Sequence, residues 1–458
     1  MRRLSFSFFM VVLSGLAFGL FLRPAARALA LASPITLSLS DAIAKALTHN
    51  LALKAQAQAV AMAKGERLSS FQAVLPTITG TGTYTRNLKQ NVIFFPDTQT
   101  GQTQAIELGE DNSYDIGAQV TQPIFDFGGM YYALKGSGLA YKASQAAYAN
   151  AKNDLIYQTT VSYYRLQYLM RNDEIARQAV VQAAETVSAV RAQEKQGLKS
   201  AYEVLDATVE RETRAAEQVA AESLLSEQWR RFRTLLDLDG ETPVHLIDAL
   251  PTPQAPHGFD RLLDIALSKN PVLEQLHLSS ESLKAAWKGA QRQWAPRLDG
   301  IFRYALQGES EALLPDSGDF AETMSAGMTL RVPVFDGLRR EGDIQTAKAR
   351  YMKSLYDLQN ALREFVDEVS RAYETVALSE AQWRTQEKTA DLAQEAFRQA
   401  KERYSLNLLT TLELRTADLR ARTAQAAALN ARWNHATAGA DLARLVGGSL
   451  PEWSSFKE

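Results

Sequence analysis

The sequence predicts a mainly α-helical, elongated protein that is duplicated internally and carries four β-strands in each chain. Three observations lead to this prediction. An apolar seam without a helix breaker runs from Pro333 to Pro451, and a related stretch lies 210 residues earlier. Runs of alternating polar and apolar residues precede each of these two stretches. A chain of 458 residues could hold two or three ordinary domains, but a duplicated coiled coil favours one elongated object over several compact ones.

The seam indicates a long helix followed by a turn and a second helix. Its apolar residues recur at alternating steps of four and three, the spacing of a coiled coil. They are Tyr351, Leu355, Leu358, Leu362, Phe365, Val369, Ala372 and Val376. Tyr404-Ser405-Leu406-Asn407 interrupts the seam, and Thr410 with Glu413 forms a capping-box pattern that starts the next helix. We therefore expect helices over 338–406 and 410–446. The first would be about 100 Å long, and it would need partners along its length.

The first copy repeats these landmarks when the numbering is shifted by 210. Pro123-Ile124-Phe125-Asp126 corresponds to Pro333-Val334-Phe335-Asp336, and Ser200 with Glu203 corresponds to Thr410 with Glu413. The seam of this copy is less regular and consists of Tyr141, Tyr148, Leu155 and Leu166. Such self-similarity indicates duplication. It predicts one repeat over 31–240, with helices 130–196 and 200–237, and a second repeat over 260–448.

A short helix is expected at the start of each repeat. In the first repeat, Ser40-Asp41 is a plausible cap for an Ala-rich helix that continues to about Ser70. A shift of 220 relates Ala46-Leu47 and Asn50 to the start of the second repeat. Because the shift changes from 220 to 210 after Tyr84, one copy carries about ten extra residues, which we expect in a loop.

Between the short and long helices of each repeat the periodicity changes to two, which is typical of strands. The predicted hairpins cover 77–125 and 298–335, and each strand is about ten residues long. That length crosses an outer membrane with one apolar and one polar face, but a sandwich sheet with one solvated face fits the pattern equally well. Four strands cannot close a membrane barrel, for which about eight are needed, so spanning strands would require an oligomer.

Composition and motifs exclude several classes of function. Fifty Lys and Arg against 52 Asp and Glu leave no electrostatic footprint for nucleic acid. The absence of Cys excludes disulfides, thiolate metal sites and the acylated cysteine of a lipoprotein. The five histidines have no metal-ligand spacing, and Asp126-Phe127-Gly128 lacks the other motifs of a kinase. We therefore expect no enzyme activity, no cofactor and no metal site.

The N-terminus predicts the compartment. A basic pair, Arg2-Arg3, precedes an apolar run that ends near Ala-x-Ala sequences, which indicates a signal peptide over about residues 1–30. An uncleaved membrane anchor is the alternative, because the run approaches the length of a span. A proline-rich linker is expected over 241–259 and a polar tail over 449–458.

Taken together, the motifs resemble the TolC-type outer-membrane efflux proteins over essentially the whole mature chain. The residues that carry the resemblance are Ala46-Leu47, Asn50, Leu75-Pro76, Gln122 to Asp126, Val332 to Gly337, Gly197-Leu198-Lys199-Ser200 and Tyr404-Ser405-Leu406-Asn407. The resemblance implies a homotrimer with a shared twelve-stranded barrel in the outer-membrane lipid of a Gram-negative bacterium, continued by a periplasmic helical tunnel. It also implies the role of exit duct in a tripartite efflux or type I secretion system. The partners would be a periplasmic adaptor and an inner-membrane transporter of RND, ABC or MFS type.

The resemblance also implies roles for particular residues. Tyr404 and Glu413 match the periplasmic gate, although Thr416 and Leu409 stand where a second acid and a basic latch residue often occur. Three Glu413 carboxylates around one axis would raise one another's pKa and favour cations; the alternative is that Glu413 only caps its helix. The adaptor-docking positions would be Gly197, Leu198, Ser200, Asn407, Leu408 and Thr410, which simple turn chemistry also explains. The strand-to-helix exits are Pro123, Phe125, Asp126, Pro333, Phe335 and Asp336.

A structural class competes with the duct: a secreted periplasmic coiled-coil structural or adaptor protein whose strands form a soluble domain. It explains the helices and the signal peptide, but not why strand pairs lie between helices in both copies. The sequence leaves the transported substrate open among drugs, metal ions, glycolipids and polypeptides. It also leaves open the identity of the pump and whether the gate is open or closed.

Overall fold

The computed structural model describes residues 35–96, 103–238, 244–251, 258–406 and 408–447. The predicted signal peptide, the C-terminal tail, Asn407 and parts of the predicted linker lie outside the described residues.

Eight α-helices in the described part of the chain reproduce the duplication. Their bounds are α1 Leu39–His49, α2 Leu51–Ser70, α3 Gly129–Lys195, α4 Ala201–Leu235, α5 Phe259–Lys269, α6 Pro271–Gln291, α7 Arg339–Ser405 and α8 Thr411–Val446. The short helices α1 and α5 are offset by 220 residues and the long helices α3 and α7 by 210. Both long helices contain 67 residues, which corresponds to about 100 Å at 1.5 Å per residue.

The first repeat begins with two helices, so the expectation of one continuous short helix was wrong. Asn50 ends α1 and also caps α2, because its extended backbone breaks the helix while its side-chain oxygen accepts from the Leu53 amide. The N-cap was also misplaced by two residues. Ser38 caps α1, and Asp41 is the third helical residue, which completes a capping box with Ser38.

Among the described residues, the strands form one four-stranded sheet, one ribbon and one short parallel pair. Their bounds are β1 Ile35–Leu37, β2 Thr77–Arg86, β3 Asn91–Pro96, β4 Thr103–Leu108, β5 Asn112–Phe125, β6 Val244–Leu246, β7 Arg297–Ser310 and β8 Phe320–Arg331. The sheet has the antiparallel order β2-β5-β7-β8, so the two predicted hairpins join through β5 and β7. The extra residues of the first copy do not form the expected loop, because they pair as the β3–β4 ribbon.

The sheet has one apolar and one polar face, as the alternating pattern predicts. Residues directly opposite one another on neighbouring strands share a face, and the register aligns the apolar sets of all four strands. The apolar face includes Ile78, Tyr84, Ile116, Val120, Phe302, Tyr304, Leu306, Met324, Met328 and Leu330. On the polar face, the Asp115 carboxylate accepts two hydrogen bonds from the Arg303 guanidinium, both of 2.8 Å. The chain thus presents a two-sided sheet of the kind that can separate lipid from water.

In the described part of the chain the helices bury two cores, and α8 contributes to both. The first core centres on Tyr163 and Phe232, which pack between α1, α3 and α4. The second centres on Val369 and Val376, which pack α7 against α5 and α8. Within the predicted seam of α7, only the part from Phe365 to Val376 is buried in the single chain. Nearer the sheet, Tyr351, Leu355 and Leu358 are only partly buried, and Leu362 is 38% exposed.

The linker is tied to the start of the first repeat. Strand β6 pairs in parallel with β1, and the Asp248 carboxylate accepts a 2.6 Å hydrogen bond from the amide of Leu39, the first residue of α1. The Tyr163 hydroxyl donates to the Leu37 carbonyl at 3.0 Å. Residues more than 200 positions apart therefore meet against α3.

In the part of the chain that the structure describes, no helix combines the length and the hydropathy needed to cross a bilayer.

Candidate functional site: the paired helix turns

The two helix turns, α3–α4 and α7–α8, close with the same hydrogen bond. The Leu198 amide donates to the Gln193 carbonyl at 3.0 Å, and the Leu408 amide donates to the Arg403 carbonyl at 3.0 Å. Both bonds span five residues, as in a Schellman motif, which needs a left-handed residue after the helix. Gly197 supplies it in the first turn with φ of 75°. The duplication therefore extends to the backbone geometry of the turns.

Both following helices start with a complete capping box. In the second turn, the Glu413 carboxylate accepts from the Thr410 amide at 2.8 Å and from its hydroxyl at 2.7 Å. These hydrogen bonds favour the charged form, so they lower the pKa of Glu413. Ser200 and Glu203 make the equivalent box in the first turn. Glu413 thus caps its helix. The increase in its pKa that repulsion among three Glu413 carboxylates would cause requires neighbouring copies of the chain.

A hydrogen bond from Lys199 to Thr411 connects the two turns. The Lys199 ammonium donates to the Thr411 hydroxyl at 3.1 Å and to the Glu203 carboxylate at 2.7 Å. The Tyr404 hydroxyl lies 3.4 Å from the same Thr411 oxygen. The hydrogen bond from Lys199 is the largest of the effects that lower the pKa of Glu203. Predicted gate residue Tyr404 therefore lies within a small polar network that spans both turns.

An ion pair reinforces this contact about one helical turn further along α8. The Arg415 guanidinium of α8 donates to the Asp206 carboxylate of α4 at 2.6 Å. Beyond it lies a cavity of about 210 Å³ between α3, α4 and α8. Asp418 on the wall of this cavity is partly buried, and burial raises its pKa despite its ion pair with Arg422. Close to the turns, the two helix pairs thus meet through charged side chains around a cavity.

Most of the predicted docking residues lie at this same end of the molecule. Leu198 and Leu408 expose 68% and 72% of their surface, which leaves both side chains accessible at the tips of the turns. Gly197, Ser200 and Thr410 flank them. Asn407, the remaining candidate, lies outside the described residues.

Sequence reasoning missed four residues that join the turns: Lys199, Asp206, Thr411 and Arg415. From the sequence, a basic latch residue was considered only at position 409 of the second repeat, where the residue is Leu409. The shift of 210 relates Leu409 to Lys199, so the duplication itself carried the signal. The Arg415–Asp206 pair had no such signal, because it depends on how α4 and α8 lie against each other.

The strand-to-helix exits differ between the repeats. In the first, the Asp126 carboxylate accepts from the amides of Gly128 and Met130 at 3.2 and 2.7 Å and so caps α3. Pro123 is buried and Phe125 contacts Phe127.

In the second exit, a buried arginine replaces the cap. The Asp336 carboxylate accepts from the Arg340 guanidinium at 2.8 Å, which also donates to the Pro333 carbonyl at 3.2 Å. The same guanidinium lies 4.0 Å from the centroid of the Trp294 ring. Phe335, beside it, is mostly exposed. The matching Pro-x-Phe-Asp motifs thus hold their helices in different ways.

Comparison with known proteins identifies the family. The profile of the outer membrane efflux protein family matches residues 42–237 and 262–448, which is most of the chain. The chain belongs to this family. It is 25% identical to the alkaline protease secretion protein AprF of Pseudomonas aeruginosa over 78% of this chain and 74% of that protein. It is 24% identical to the outer membrane protein OprJ of the same species, over 78% and 76% of the two chains.

The fold agrees with the family. The crystal structure of the Campylobacter jejuni CmeC outer membrane channel superposes with a TM-score of 0.78 at 19% identity, over 90% of this chain and 85% of that chain. The predicted TolC-like fold class, mainly helical with a four-stranded sheet, is confirmed. The members of this family are non-enzymatic transport channels of the outer membrane and periplasm. Membership therefore confirms the predicted outer-membrane location and the predicted efflux or secretion function, and it rules out the secreted coiled-coil alternative.

Proposed function

We propose that three copies of the outer-membrane efflux protein form one duct, in which twelve strands close a barrel and the long helices line a periplasmic tunnel. The observation that supports it is the sheet itself: β2 and β8 each have one edge without a strand partner among the described residues. Unpaired strand edges are not tolerated in lipid, and four strands cannot close. Pairing β8 of one copy with β2 of the next satisfies both edges.

The uncovered part of the α7 seam supports the same assembly. Leu362 is 38% exposed, although it continues the apolar spacing of the buried Phe365 and Val369. A coiled-coil position of this kind is normally covered by a facing helix. In the proposed trimer, that helix comes from a neighbouring copy.

The paired turns form the gate in this proposal. The Lys199–Thr411 contact holds the second turn against the first, and Tyr404 positions the Thr411 hydroxyl from within the second turn. The Arg415–Asp206 pair connects the helices that follow the turns. Opening then requires α8 to move away from α4, and the charged cavity between them lets water replace the broken contacts. Three Glu413 carboxylates ring the pore at this level and attract cations.

An adaptor docks at the exposed turn residues, namely Gly197, Leu198, Ser200, Leu408 and Thr410 together with Asn407. An inner-membrane transporter of RND, ABC or MFS type supplies the energy. AprF is named for protease secretion, so polypeptides as well as small molecules are cargo that the duct would pass. Selectivity then lies with the pump, because a wide duct touches its cargo only weakly.

The mass of the mature protein tests this proposal. The protein is extracted from outer membranes in mild detergent and measured by light scattering, with the detergent contribution subtracted. We expect three chains in each particle. One or two chains in each particle, or a species that stays soluble without detergent, would refute the shared barrel.

A further inference from the structure

Basic residues outnumber acidic ones in the helix segments that lead into and out of the sheet, which extend up to about 35 Å along α3. The four segments that adjoin this end of the sheet are 60–76, 126–152, 282–297 and 333–353, and together they are here called the basic collar. The collar holds 14 Lys and Arg against five Asp and Glu, whereas the whole chain holds 50 against 52. Its charge is therefore strongly positive in a chain that is otherwise acidic.

The most basic segment of the collar lies at the end of α6. Between residues 282 and 297 the chain has four basic residues and no acidic one. Lys284, Lys288 and Arg292 follow one another at steps of four, so they lie along one face of the helix. Glu281 neutralises Lys284 at 2.9 Å, but Lys288 and Arg292 have no carboxylate partner in the described part of the chain. Two cationic side chains thus remain available.

Helix dipoles do not account for the whole collar. Cations near the C-terminus of α6 are favourable to its dipole, but a cation at the N-terminus of a helix is unfavourable. Arg339 and Arg340 nevertheless begin α7. Arg340 is buried on Trp294 and Asp336, whereas Arg339 is 72% exposed and lies 3.8 Å or more from the nearest carboxylate oxygens. Two long ion pairs, with Asp336 and Asp343, thus partly offset the dipole at Arg339, and its exposure leaves the guanidinium accessible to a further anion.

Exposed apolar side chains accompany these cations. Trp294, Val334, Phe335 and Leu338 are 45%, 83%, 76% and 64% exposed at the junction of sheet and helices. They continue the apolar face of the sheet, which reaches the junction through Leu330. A band of aromatic and apolar side chains next to basic ones matches the boundary between lipid tails and headgroups.

We propose that the basic collar binds the phosphate groups of anionic phospholipids in the leaflet that faces the periplasm. Lys288, Arg292 and Arg339 hold the headgroups, while Trp294 and Phe335 enter the adjoining hydrocarbon. The inference rests on the membrane placement in the proposed function. It adds a preference for lipid charge, which anchors the sheet at a fixed height and which apolar burial alone does not give.

Native mass spectrometry tests the preference. The trimer is placed in nanodiscs of equal amounts of phosphatidylglycerol and phosphatidylcholine, and the lipids that stay bound on release are counted. A basic residue near an anionic surface contributes roughly a fivefold preference. If each headgroup contacts one or two of these residues, phosphatidylglycerol should be enriched on the order of tenfold. The triple variant K288Q/R292Q/R339Q should lose most of this enrichment.

A matched variant controls for net charge. R191Q/K388Q/R420Q removes three exposed basic residues from α3, α7 and α8, outside the collar, and should keep the enrichment. Equal loss in both variants would overturn the proposal, since net charge and not the collar would then be responsible. Equal retention of the two lipids by the unmodified protein would overturn it as well.

Raising the salt concentration tests, on the unmodified protein alone, whether the lipid enrichment is electrostatic. At about 1 M salt the screening length falls to about 3 Å, so enrichment that comes from exposed charges should disappear. Enrichment that persists there would refute an electrostatic collar. The same spectra report the number of chains, so a failure to form trimers refutes the proposed function separately from the lipid preference.

Discussion

The Arg415–Asp206 pair provides the sharpest test of the proposed gate. Asp206→Asn keeps the shape of the side chain but removes its charge, which weakens the 2.6 Å contact between α4 and α8. The side chains are 28% and 46% exposed, so solvent screens the pair and its contribution is discounted to about 1 kcal/mol. Three equivalent pairs that break together in a trimer contribute about 3 kcal/mol. The ratio of open to closed channels should therefore rise on the order of a hundredfold.

Single-channel recording in planar bilayers measures that ratio directly. The control is Glu395→Gln, which removes an exposed carboxylate that pairs with Arg398 inside α7 and does not bridge the helix pairs. The exchange D206R/R415D restores opposite charges across the same gap and should return the open fraction toward that of the unmodified protein. If D206N and E395Q behave alike, or if the exchange opens the channel further, the pair does not hold the gate.

Three further predictions address charge, pH and stability. Glu413→Gln should weaken cation selectivity, because it removes three carboxylates from one axis; unchanged reversal potentials would place Glu413 outside the pore. The pKa of Glu203 is lowered below its usual value of 4.5, chiefly by the hydrogen bond from Lys199. Its stabilisation of the turn is thus complete above about pH 4.5 and is lost as the pH falls through the lowered pKa. Hydrogen exchange at the start of α4, corrected for intrinsic rates, should accelerate in that window, and exchange that stays constant would contradict the assignment. Phe232 is fully buried, so Phe232→Ala should lower the free energy of unfolding by about 3–5 kcal/mol; chemical denaturation measures the change, and a loss below about 1 kcal/mol would show that the first core is loosely packed.

The elements that sequence predicted well are those that repeat or have a strict period. The absence of proline, the seam of α7 and the shift of 210 residues defined the long helices to within a few residues. Alternation predicted both faces of the sheet, because a period of two directly assigns each side chain to a face. The duplication then supplied a second, independent view of each element.

The elements that the sequence did not predict depend on contacts between the two repeats of the chain or on a single residue. The break at Asn50 lies within an Ala-rich pattern that continues on both sides, so periodicity gave no warning. The β3–β4 ribbon was expected to be a loop, because only length marked the insertion. The contacts between the turns arise from the packing of α8 on α3, which brings side chains of α4 and α8 together and which no local pattern encodes.

The parallel pairing of β1 with β6 has a consequence for the order of folding. Residues 35–37 meet 244–246, and Asp248 supplies a hydrogen-bond acceptor at the start of α1. During synthesis from the N-terminus, residues 35–37 therefore have no strand partner until more than 200 further residues have been made. Closing so long a loop costs entropy before any contact compensates it. The first repeat can complete its fold only when the connection to the second is already in place, so a fragment that stops at residue 238 would lack its own final strand.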